Sequence, residues 1–189
     1  MAISRTWTGV SIGVILLIAT PATQAAERSS VAVTIENYAG ISNKEVHEAE
    51  AQASRIYSTA NIDIQWDAAG ATGLRIAVVS PEMTSHLPSS KDALGFAPAS
   101  ASGERSVRAY VFAGKVQRAA DQLRLAFAQL PGCAIAHELG HLLLPLNSHA
   151  ESGIMRGAWD PSHLPTAGSE YLRFVPVHVQ LLRQRLAAH

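Results

Sequence analysis

The stretch Cys133-Ala-Ile-Ala-His-Glu-Leu-Gly-His-Leu-Leu-Leu144 constrains this chain more than any other. Its apolar residues fall on nearly every side of a helical wheel, so the helix it predicts is buried rather than laid on a surface. It nevertheless carries two histidines and a glutamate, and buried polar groups are costly unless something satisfies them. Residues i and i+4 share one helical face, so His137 and His141 can reach a single ion. Glu138 projects beside them and can take a proton from a water that such an ion activates. A chain with 8 histidines among 189 residues is expected to show an HExxH triplet by chance only about 0.02 times.

A catalytic zinc takes three protein ligands and keeps its fourth position open. His149 follows eight residues after His141 and is the expected third ligand. Pro145 ends the helix, and a turn through Pro145-Leu146-Asn147-Ser148 can bring His149 back to the ion. Asn147 is a poor ligand, because its amide oxygen is neutral and hard. Glu170 and Glu151 are the carboxylate alternatives. Gly140 costs up to roughly 1 kcal/mol against alanine inside a helix, which a close backbone or substrate approach would justify. Cys133 shares the face of His137; a thiolate ligand would close the site, and a buried small hydrophobe is the simpler role.

Here the chain resembles the metzincin clan of zinc endopeptidases, especially its matrixin branch. Their pattern is HExGHxxGxxH, followed by a turn that carries a methionine beneath the metal. His137-Glu-Leu-Gly-His141 matches, and Gly153-Ile154-Met155 looks like the methionine turn. The chain departs in two places. Leu144 stands where the family has its turning glycine, and Asn147 occupies the usual third-ligand position, two residues before His149. Close likeness covers roughly 20 residues; beyond them only the order of elements agrees. The resemblance implies an α+β zincin-like fold, with a mixed twisted sheet, a buried catalytic helix, a methionine turn and a C-terminal helix. It also implies that substrate pairs with an edge strand beside the cleft, which would lie near Leu94–Ala97. The tyrosine that sometimes assists two positions after the methionine is here Gly157.

The first 25 residues read as an export signal. Arg5 is the only charge before Glu27, and Gly9 to Ala19 is an apolar run too short to span a bilayer comfortably. Pro21 breaks the run, and small residues lead to a cleavage position after Ala25. An uncleaved anchor is the alternative. Residues 26–189 then form one domain, secreted or periplasmic, with no later stretch approaching a membrane span. The signal segment holds one arginine and no acid, so the mature chain carries one acidic charge in excess. A near-neutral chain argues against nucleic acid as a partner. The lone cysteine excludes an intrachain disulfide framework.

Val31, Val33 and Ile35 alternate with polar or small residues, as do Ile62, Ile64 and Trp66, and Leu74, Ile76 and Val78. These are strands. Between the first two, Ser42-Asn43-Lys44-Glu45 offers a capping box for an amphipathic helix over 43–59. Residues 81–106 read mostly as loop, with Leu94-Gly95-Phe96-Ala97 as an apolar island. Arg108–Phe112 reads as a strand and Lys115–Ala128 as mostly helical. Val175, Val179, Leu182 and Leu186 form the stripe of a terminal helix, with Pro176 in its first turn.

The expected protein is thus a zinc-dependent endopeptidase acting as a monomer on peptide or protein substrates. His137, His141 and His149 hold Zn2+, and Glu138 is the catalytic base. The competing readings are an exported zinc-binding protein with a decayed site and a binding module whose motif is accidental. His47, His86, His163, His178 and His189 carry little signal; His163 lies near enough to the motif to contact substrate, and Trp159 reads as a packing residue.

Overall fold

The computed structural model describes residues 28–67, 73–88, 92–98, 106–123, 129–157 and 172–188. The expected export signal, Trp159, His163 and Glu170 lie outside the described residues. The fold is mixed α+β, with five helices and a five-stranded, mostly parallel sheet among the described residues.

Strand β1 (Ser29–Asn37) buries Val31 and Val33. It leads through a turn into α1 (Asn43–Ser58), whose start has the expected reciprocal cap. The Ser42 amide donates to Glu45 Oε2 at 2.8 Å, and the Glu45 amide donates back to Ser42 Oγ at 3.3 Å. Strand β2 (Ile62–Trp66) runs parallel to the first half of β1, from Ser29↔Ile62 to Val33↔Trp66. Strand β3 (Leu74–Val79) pairs with the second half on the opposite side, from Val33↔Leu74 to Asn37↔Val78. Both therefore meet β1 at Val33, so the chain changes sides of β1 without first running back its length.

Helix α2 (Pro81–Thr84) and strand β4 (Gly95–Phe96) interrupt the stretch expected as loop. Strand β5 (Arg108–Phe112) is parallel to β3, and β4 is antiparallel to β5 at the sheet edge, giving the order β2-β1-β3-β5-β4. Helix α3 (Ala113–Leu123) begins directly after β5, two residues before the expected start at Lys115. The expected continuation over 124–128 lies outside the described residues.

Helices α1 and α4 (Gln129–Leu143) pack together, and α4 also lies against β3, β4 and β5. Ala49, Ala53, Ile56 and Tyr57 of α1 share a core with Leu130, Cys133, Ala136 and Leu139 of α4 and with Val33, Ile76 and Val111 of the sheet. A smaller apolar cluster of Ala77, Val79 and Phe112 includes the half-buried Phe96 and Tyr110. Helix α5 (Pro176–Ala187) buries Leu182, with Val179 and Leu186 half-buried against the core, as its stripe predicts. No described helix is long and apolar enough to cross a membrane.

Candidate metal centre

Helix α4 is buried along almost its whole length, and His137, Glu138 and His141 sit in its C-terminal half. The i, i+4 spacing stacks the two rings edge to face, with centroids 4.7 Å apart. His137 Nε2 and His141 Nε2 are 3.0 Å apart.

His149 arrives by the turn after the helix. The Leu144 amide donates to Gly140 O at 2.8 Å, and Leu144 is fully buried. Pro145 has no amide to extend the helix. Asn147 then takes the left-handed conformation, φ 59°, which asparagine tolerates better than most residues. The turn carries His149 Nε2 to 3.1 Å from His141 Nε2. Leu144 and Asn147 thus occur where a turn of different length is built, and Asn147 shapes the chain, as expected of a turn former.

The ligand atoms of His137, His141 and His149 all lie within 4.8 Å of one another, close enough to bind one metal ion. Glu151 is exposed and is not part of this cluster. A tetrahedral ion with nitrogen at 2.0–2.1 Å separates its ligands by about 3.3 Å, near the contacts that His141 makes. The tautomer at His137 fits the same use. Its Nδ1 lies 2.8 Å from Ile154 O, and a carbonyl only accepts, so Nδ1 carries the proton and Nε2 keeps its lone pair. Three such nitrogens cannot satisfy one another in pairs, because His141 Nε2 has at most one proton for two close neighbours.

The floor is the segment 150–157. Ala150 N–H donates to Met155 O at 2.9 Å, and Ile154 N–H donates to Arg173 O at 2.9 Å. Ile154 is therefore held on its amide side by Arg173, while its carbonyl orients His137. Met155 is fully buried, with its sulfur where a Cβ on Gly140 would lie. That close approach explains the helical glycine. Gly157 abuts His149: a Cβ there would lie 3.1 Å from His149 Nδ1.

Burial sets the electrostatics. It depresses His137 to about 4 and His141 to about 3, with neighbouring histidines adding to the effect, so both rings are neutral at physiological pH. Burial raises Glu138 to about 8. Only 6% of Glu138 is exposed, and its Oε2 has no hydrogen-bond partner among the described residues. Cys133 belongs elsewhere: it is buried in the core with α1, and burial pushes its thiol up to about 12.

His178 is the residue that sequence reasoning passes over. It is buried in α5, its Nδ1 has no partner among the described residues, and its charge would depress His141. Its position offers a signal, since 175, 178, 179 and 182 form one helical stripe. His47 is exposed, as a solvated face requires, and its Nδ1 lies 2.9 Å from the buried Glu50.

No protein-family model matches the chain, and no curated protein matches it either. The geometry of the site carries the functional argument.

Proposed function

We propose that this protein is an exported, zinc-dependent endopeptidase of metzincin type. The observation that carries the reading is the convergence of three imidazoles beside a buried glutamate whose Oε2 has no hydrogen-bond partner among the described residues. Three imidazole nitrogens, with a fixed tautomer on His137, suit zinc, which would leave a fourth position for water or substrate.

His137, His141 and His149 would hold the zinc, which when bound would supply Lewis acidity to a water and to the scissile carbonyl. Glu138 accepts the proton of that water and passes it to the leaving amine. The Ile154 carbonyl orients His137, and Met155 packs against Gly140 of the same helix. Strand β4, at the edge of the sheet beside α4, gives an extended peptide a backbone to pair with. This strand falls within the segment that the metzincin resemblance assigns to substrate pairing. The buried helix, the methionine segment and α5 follow one another in the chain order that the resemblance implies.

The test is Glu138→Gln in the mature chain. Zinc content and fold should persist, while peptide hydrolysis falls at least about a hundredfold. Stoichiometric zinc without hydrolysis in the wild type would select the non-catalytic zinc protein. Absence of zinc from the purified wild type would leave the motif an accident.

A further inference from the structure

We infer that Gly95 is a positioning residue for Glu138: its missing side chain provides the space in which the carboxylate is held. This rests on the peptidase reading and adds a residue outside the motif to it.

The observation is one of fit. A Cβ built on Gly95 would lie 2.5 Å from Glu138 Oε1 and 2.6 Å from both Cδ and Cγ. Carbon atoms in contact settle at about 3.5–4.0 Å, so the whole end of the side chain would have to move by about 1 Å. The Gly95 backbone does not yield easily, so the Glu138 carboxylate, whose Oε2 has no hydrogen-bond partner among the described residues, is the group that shifts. Gly95 is paired with Val111, and the neighbouring Leu94 carbonyl accepts the Phe112 amide at 2.9 Å, which ties this backbone to β5. Glu138 is buried on α4, whose flanking residues His137 and Leu139 are fixed by Ile154 and by the core.

Backbone conformation does not account for the glycine. The glycines with positive φ among the described residues are Gly40 and Gly153, so an L residue fits the dihedrals at 95. A glycine inside a strand otherwise weakens it, and often marks close approach by another group. Alternation along β4 sends Phe96 to the other face, where its ring stacks on Tyr110 at 6.5 Å. Glu138 is what excludes a side chain at 95.

A displacement of about 1 Å at a reacting group costs on the order of a hundredfold in rate. Gly95→Ala should therefore lower kcat by about 10–100-fold, with KM within about twofold and zinc content unchanged. A readout independent of activity comes from a double-mutant cycle in the zinc-loaded protein. Gly95→Ala should lower the unfolding midpoint by about 2–4 °C in the wild type. In a Glu138→Ala background the added methyl meets empty space, and the loss should vanish. Should Gly95→Ala fail to fold alone, rescue by Glu138→Ala carries the same information. Equal losses in both backgrounds, loss of zinc, or an unchanged kcat would each overturn the role of Gly95. Coupled stabilities with no hydrolysis by any variant, the wild type included, would instead overturn the peptidase reading and leave only the fit of the two residues.

Discussion

Helices α1 and α4 lie side by side in the same core and solve opposite problems. Helix α1 carries its own solution: a capping box satisfies its first amides, one face is apolar, and Lys44–Glu48 and Gln52–Arg55 pair along its exposed side. Helix α4 has polar groups buried in its last turns, and segments outside it orient and complete its histidines. Ile154 orients His137, His149 completes the cluster, and Met155 fills the gap at Gly140. A helix that serves only the fold is locally complete, whereas one that serves a site depends on distant segments.

The strongest attack on this contrast removes a distant contributor. His149→Ala should weaken zinc binding at least about a hundredfold, because two imidazoles on one helix cannot complete the site. Asn147→Ala should cost far less, since Asn147 acts through its backbone. Zinc titrations of both variants at one pH decide it. Greater loss from Asn147→Ala would return the third ligand to position 147.

A pH series on the metal-free protein comes next. Glu138 rises from 4.5 to about 8 on folding, so its contribution is complete below pH 4.5 and is lost as pH rises through 8. His137 and His141 fall from 6.5 to about 4 and 3; their contribution is present above 6.5 and is lost as pH falls through those values. Metal-free protein should therefore be most stable near pH 6.5. Between pH 6.5 and 8 it should lose up to about 2 kcal/mol, the linkage of one proton over that window. Denaturant unfolding of Glu138→Gln should show no such alkaline loss; the same loss in both proteins would remove Glu138 as its cause.

Gly140→Ala separates propensity from packing. Alanine gains about 1 kcal/mol of helix propensity, while overpacking Met155 costs about 1–3 kcal/mol, so the variant should be destabilised by about 1 kcal/mol net. Stabilisation in a urea melt would mean that Met155 relaxes freely. The smallest effect belongs to α1, where Ser42→Ala should cost about 1 kcal/mol and leave zinc affinity unchanged.

The same contrast governs what the sequence disclosed. Period-2 alternation located β1, β2 and β3, the Arg108–Phe112 run located β5, and the Ser42–Glu45 box located α1, because those signals are local. Parallel pairing on both sides of β1 leaves no mark in one strand's pattern. Strand β4 is too short for periodicity, and α3 starts early because β5 enters it without turn residues. At the site, spacing disclosed His137, Glu138 and His141, and ligand chemistry singled out His149. The left-handed Asn147, the proton on His137 Nδ1 and the contact between Glu138 and Gly95 arise only when separate segments meet. His178 is legible as a stripe position, but an imidazole among aliphatic residues draws little notice in a sequence.

The sheet ends have a consequence for life at high concentration. A free strand edge invites other chains to stack on it, and long, flat, apolar edges seed aggregation. Among the described residues, the edge strand next to Glu138 is two residues long, too short to start a growing ribbon. The opposite edge, β2, is longer but bears Asp63 bound to Arg28 at 2.6 Å, and Trp66 is turned to Ser54 of α1 at 2.9 Å. Charge blunts one border and brevity the other, and both work against edge-to-edge polymerisation.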